Sequence, residues 1–139
     1  MAKRATSKET AQAEAARKLA IEAARIAEDS NSAEVLVLDL RGISPVTDYF
    51  VIATGTSGRQ MRSVADDVCQ YGKSIGQSVY HVSGADSPDW IVVDFVDVVV
   101  HLFSEQFRHY YDLELIWGEA PRVRWRRPAR KKPAEAAEG

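Results

Sequence analysis

An internal disulfide is excluded at the outset, because the 139 residues contain a single cysteine, Cys69, and a lone thiol has no partner to bridge. Long apolar runs are missing as well. No N-terminal segment has the apolar centre of a signal peptide, and none reaches the roughly 20 residues that cross a bilayer. A soluble cytoplasmic protein with no membrane contact is the expectation. The sequence also has no Gly-rich P-loop, no Gly-x-Ser-x-Gly elbow and no Asp-x-Asp pair, so phosphoryl transfer and serine hydrolysis have no footing in it. His81, His101 and His109 stand at no familiar ligand spacing from each other or from Cys69, which leaves no metal site to expect.

Positive charge is scarce where a nucleic-acid-binding body would need it. Residues 1–121 hold 11 Lys and Arg against 18 Asp and Glu, a net of −7, whereas residues 122–139 hold 7 against 2, a net of +5. An acidic body cannot neutralise phosphates over a broad surface. It suits a protein partner with a basic surface instead. The length fits one domain plus tails.

What is present reads as α/β. Residues 8–28 are Ala-rich, with Ala16, Leu19, Ala20, Ala23, Ile26 and Ala27 on one helical stripe. Strands are expected over Glu34 to Leu40, over Asp48 to Gly55, and near Ser78 to Val82. Between the last two, Ser57 and Gln60 have the form of a capping box that opens a helix, whose buried stripe is Met61, Val64, Ala65, Val68, Gly72 and Ile75. Cys69 beside that stripe reads as a core filler. Residues 105–112 look helical, and Leu113 to Trp117 form a short apolar segment. The sum is a single domain with a mixed sheet of about five strands, flanking helices and at least one crossover helix.

The stretch WIVVDFVDVVVHLF (Trp90 to Phe103) reads as a hairpin. A turn at Phe95-Val96 would pair Asp94 with Asp97, Val92 with Val99, and Trp90 with His101. Side chains alternate across a strand, so Ile91, Val93, Val98, Val100 and Leu102 make a uniformly apolar face, which is the core. The opposite face carries Trp90, Val92, Asp94, Asp97, Val99, His101 and Phe103. Aromatic anchors among a few polar groups suit a protein-docking face. The alternative is that a helix covers this face, burying Trp90 and Phe103 with His101 bonded internally. In this register His101 stands about 10 Å from the aspartates, too far for one metal. Gly55 to Arg59, opening a helix, could hold a phosphate on backbone N–H groups, though any capped helix after a glycine has this form.

TDYFVIATGTSGRQMRSVADDV, DWIVVDFVDVVVHLF and RHYYDLELIW occur in the order and spacing of the ribosomal silencing factor family, also called Iojap. The resemblance runs from about Ala33 to Gly118. It implies a nucleotidyltransferase-like fold without the catalytic carboxylate pair, and hence no enzyme activity and no cofactor. A nucleotide-binding enzyme is the alternative reading. Family members bind the large ribosomal subunit through ribosomal protein fourteen, block the small subunit from joining and repress translation when nutrients are short. They also tend to form homodimers.

The family pattern covers Asp48, Phe50, Gly55, Thr56, Ser57, Arg59, Trp90, Asp94, Asp97, His101, Arg108, Tyr111, Leu113, Glu114 and Trp117. From these, the resemblance implies a partner-binding set of Trp90, Asp94, His101, Tyr111, Leu113 and Glu114. Trp90 and Leu113 would be apolar anchors, Asp94 and Glu114 acceptors for Lys or Arg, and His101 and Tyr111 hydrogen-bonding flanks. Three positions depart from the pattern. Ser83 replaces a usual glutamate before Gly84, Leu115 replaces a common lysine, and Val96 stands where a glycine often precedes Asp97.

With residues 1–118 taken as the domain, residues 119–139 are expected to be a basic, disordered tail. A sharper reading has Arg122, Arg124, Trp125, Arg126 and Arg127 touch ribosomal RNA by phosphate contact and base stacking.

Overall fold

The protein is known from a computed structural model that describes residues 7–110 and 120–127; the segment Leu113 to Trp117 lies outside them. Helix α1 (Ser7–Asp29) leads into β1 (Ala33–Asp39) and β2 (Tyr49–Thr54). Helix α2 (Gly58–Ser74) then crosses over to β3 (His81–Ser83), β4 (Trp90–Asp94), β5 (Val98–Phe103) and the short α3 (Glu105–Tyr110). The described strands form one mixed five-stranded sheet ordered β1-β2-β5-β4-β3. β2 and β5 run parallel, and the other neighbouring pairs are antiparallel. The sequence-based class, an α/β single domain with flanking helices, is what forms.

Both long helices pack on one face of the sheet. Ala16, Leu19, Ala20, Ala23 and Ala27 of α1 are buried as the stripe predicts, with Ala24 joining them while Ile26 is half-buried. A seam of alanines lets the helix sit close to the strands, where Val37, Val51, Ile91, Val93, Val100 and Leu102 meet it and α2 in a common core. Helix α2 begins where expected. Ser57 Oγ accepts from the Gln60 N–H at 3.0 Å, but Gln60 reaches back to the Thr56 N–H (3.1 Å) and forward to Ser30 O (2.7 Å) and Ser32 Oγ (2.9 Å). The cap therefore also ties the start of α2 to the end of α1. Cys69 beside the stripe is half-buried, and burial pushes its thiol pKa up, away from thiolate reactivity.

The hairpin forms with its faces as expected but its register displaced. Trp90 pairs with Phe103, Val92 with His101, and Asp94 with Val99. The turn is Val96-Asp97, closed by the Phe95 N–H donating to Val98 O at 2.8 Å. This arrangement takes Phe95 out of the turn and buries it against Gly72 of α2, where an added Cβ would come within 2.7 Å of the ring. Burial of a phenylalanine outweighs the cost of a turn with no glycine. Because the displacement is two residues and not one, every side chain keeps its face.

Residues 120–127, expected as the start of a disordered tail, are packed. Asp39 N donates to Pro121 O and Val123 N to Val37 O, each at 2.8 Å, so the segment runs along β1. Val123 and Trp125 are each 7% exposed and join the main core. Arg25 Nε donates to Trp125 O at 2.7 Å, and Arg126 and Arg127 pair with Glu28 and Asp29 at the end of α1, each at 3.1 Å. Trp125 is therefore a core residue and not an RNA-stacking platform. Its apolar area is worth more buried on α1 than in water. The segment also covers β1, which would otherwise be an open sheet edge.

Candidate protein-docking face

The sheet face opposite α1 and α2 is divided in two. Toward the Trp90 end lies a second, smaller core of Leu38, Leu40, Ile52, Phe103 and Ala120, with Phe50, Trp90 and Phe107 packed against it. Toward the Asp94 end lies an open groove of about 620 Å³. Ser44, Val46 and Thr47 from the β1–β2 loop line it, together with Phe50, Tyr80, Asp94, Val96, Val99 and His101. Ser44 Oγ holds the loop by accepting from the N–H groups of Val46 (3.1 Å) and Thr47 (3.4 Å).

The rim of the groove is apolar and exposed. Val46 is 77% exposed, Tyr80 75% and Val96 50%. Three large apolar side chains from separate segments, gathered around one carboxylate, are an unusual use of surface for a small domain. Asp94 supplies that carboxylate from the end of β4. Its Oδ1 accepts from the Val96 N–H at 2.7 Å and so braces the hairpin turn, while its second oxygen meets no donor among the described residues.

His101 forms the floor and is 8% exposed. The indole N–H of Trp90 donates to its Nδ1 at 3.3 Å, so the neutral ring carries its proton on Nε2. That Nε2 has no hydrogen-bond partner among the described residues. Phe50 meets the ring edge-on at 4.6 Å between centroids. Trp90 itself stacks on Phe103 at 5.1 Å. The burial of Phe103 and the internal bond of His101 match the covered alternative, whereas Trp90 is only half-buried and the groove above His101 at the Asp94 end is open.

Among the sequence-derived site residues, Asp94 and His101 come together in the groove. Trp90 is half-buried behind His101 and orients it, outside the groove lining. Tyr111, Leu113 and Glu114 lie outside the described residues. His101 stands diagonally across the ladder from Asp94, two residue steps nearer than the expected register placed it. The displaced register thus brings Asp94, though not Asp97, nearer to His101. Among the described residues, no group of three or more His, Cys, Asp or Glu could hold a metal ion. Sequence reasoning missed Val46, Tyr80 and Val96, which no contiguous pattern links. At Gly55 to Arg59, the Gly55 N–H donates to Phe103 O at 2.7 Å and the Thr56 N–H to Gln60 Oε1 at 3.1 Å, so the phosphate reading loses two donors.

Burial pushes the His101 imidazole from 6.5 down to about 4, with the Asp94 carboxylate pulling weakly the other way. The folded state thus keeps His101 neutral where the unfolded chain binds a proton. Stability should be fully present above about pH 6.5 and fall as pH drops toward 4, by about 3 kcal/mol from this residue. Urea midpoints measured from pH 7.5 to 4.5 should show that slope in the wild type and a flatter one in His101→Gln. Equal slopes would show that His101 is not held neutral.

Among the described residues, no helix is long and apolar enough to cross a membrane. Residues 13–139 match the family described as "Ribosomal silencing factor during starvation" (RsfS). The ribosomal silencing factor RsfS of Bacillus subtilis is 40% identical over 99 residues, covering 71% of this chain and 84% of that protein. The chloroplastic protein Iojap of Arabidopsis thaliana is 33% identical over 111 residues, covering 75% of this chain and 43% of that one. A crystal structure of a Chromobacterium violaceum protein superposes with a TM-score of 0.68 at 33% identity, over 84% of this chain and 89% of that one. With the sheet, the hairpin and the motifs all in agreement, the chain belongs to the ribosomal silencing factor (RsfS, Iojap) family.

Proposed function

We propose that this protein docks on the large ribosomal subunit, through ribosomal protein fourteen, and sterically prevents the small subunit from joining. The observation that carries the reading is the open apolar groove around Asp94 on an otherwise acidic body. A basic ribosomal protein offers such a groove long side chains with aliphatic stems and cationic heads, the chemistry its rim and carboxylate complement. The names of the relatives support the same class of activity. No catalytic group is needed, since occupying a surface is enough to block assembly.

The basic residues beyond Arg127 add a second proposed contact, to ribosomal RNA phosphates. Arg126 and Arg127 contribute less than their number suggests, because both are already paired with α1.

Co-sedimentation with isolated large subunits, followed by addition of small subunits, tests the reading. Binding together with a reduced yield of whole ribosomes is expected. Binding without that reduction would remove the anti-association role, and no binding at low salt would remove the ribosomal partner. Repeating the titration at rising salt with residues 128–139 removed should give a shallower salt dependence. An unchanged slope would dispose of the RNA contact.

A further inference from the structure

Val96 occupies the first central position of the hairpin turn at φ +78°, in the left-handed region. A β-branched residue there is a genuine outlier, because its Cβ crowds the following carbonyl. Glycine takes this conformation without penalty and asparagine at little cost. Packing does not explain the choice of valine, since the side chain is half exposed and lies outside both cores. What Val96 does do is line the groove beside Val46, Tyr80 and Asp94. Its own N–H holds the Asp94 carboxylate at 2.7 Å, so the strained turn fixes the acid and the apolar surface in one unit.

We propose that Val96 is a specificity-determining contact of the docking groove, gripping the aliphatic stem of a partner Lys or Arg whose cationic head meets Asp94. The inference rests on the docking reading above. Charge complementarity argues for this occupant: the body is net acidic, and Asp94 is the carboxylate in the groove lining. Backbone strain at a binding surface persists when the side chain it presents is used. The occupant must be a long side chain. A short acidic or purely apolar one would leave either the carboxylate or the rim unsatisfied.

Val96→Gly and Val96→Asn both relieve the turn while keeping the N–H that braces Asp94, and Asn also keeps a Cβ. Each variant should melt higher than the wild type, by about 4 °C. Each should also bind the large subunit about five- to tenfold more weakly, since half of a buried valine's apolar contact is lost. More stable variants that bind as tightly as the wild type would overturn the proposal. A lower melting temperature would overturn its premise of strain. Failure of the wild type itself to bind would remove the docking reading and this inference with it.

Discussion

Trp125→Ala is expected to lower folding stability by about 3 kcal/mol, with a matching fall in the urea midpoint. The indole is 7% exposed, sits in the main core against α1 and carries the Arg126 guanidinium over its ring at 4.9 Å. Its loss leaves a cavity between α1 and the chain segment that covers β1, a segment otherwise held by two backbone hydrogen bonds to β1 and by the Arg126 and Arg127 ion pairs. Val123, also 7% exposed, and the bond from Arg25 Nε to Trp125 O remain after substitution. The RNA-stacking reading makes the opposite forecast. A residue in a solvated tail could be truncated with no change in midpoint and would act only on RNA affinity. Equilibrium unfolding of the two proteins separates these outcomes, and an unchanged midpoint would show that residues 120–127 do not form part of the folded core.

The largest effect on docking is expected for Asp94→Lys, which should weaken large-subunit binding by at least about 100-fold while the protein stays folded. Reversing the charge replaces an attraction with a repulsion at the point where the partner's cation is proposed to sit. Asp94→Asn is the companion variant. It keeps an acceptor for the Val96 N–H and removes only the charge, so a loss of about tenfold is expected. Circular dichroism and the urea midpoint check that both variants fold, since the carboxylate also braces the turn. Wild-type affinity in the lysine variant would place docking elsewhere on the molecule, whatever the fate of the rest of the reading.

Trp90 shows why a face assignment is weaker than it looks. Alternation along the strand puts it on the face away from the helices, and the structure agrees. That face is not uniformly exposed, however. Its Trp90 end is capped by a second core that draws on Leu38 and Leu40 of the β1 region, on Ile52 of β2 and on Ala120. A strand's own residues report which side they point to, but not which distant segment comes to cover that side.

The sequence by itself determined the elements whose causes are local. The Ser57 cap, the buried stripe from Met61 to Gly72 and the alanine seam of α1 each depend on residues within a few turns of one another, so periodicity and capping chemistry reveal them. The two faces of the hairpin followed from the two-residue period of a strand. Only the tertiary structure decided the rest. The hairpin register turned on burying Phe95 against Gly72, a contact between residues far apart in sequence. The parallel pairing of β2 with β5 and the seating of Trp125 on α1 are contacts of the same long-range kind. The groove is the extreme case. Val46, Tyr80 and Val96 belong to three separate segments, and a surface assembled from side chains that meet only after the sheet closes leaves no periodic trace in the chain.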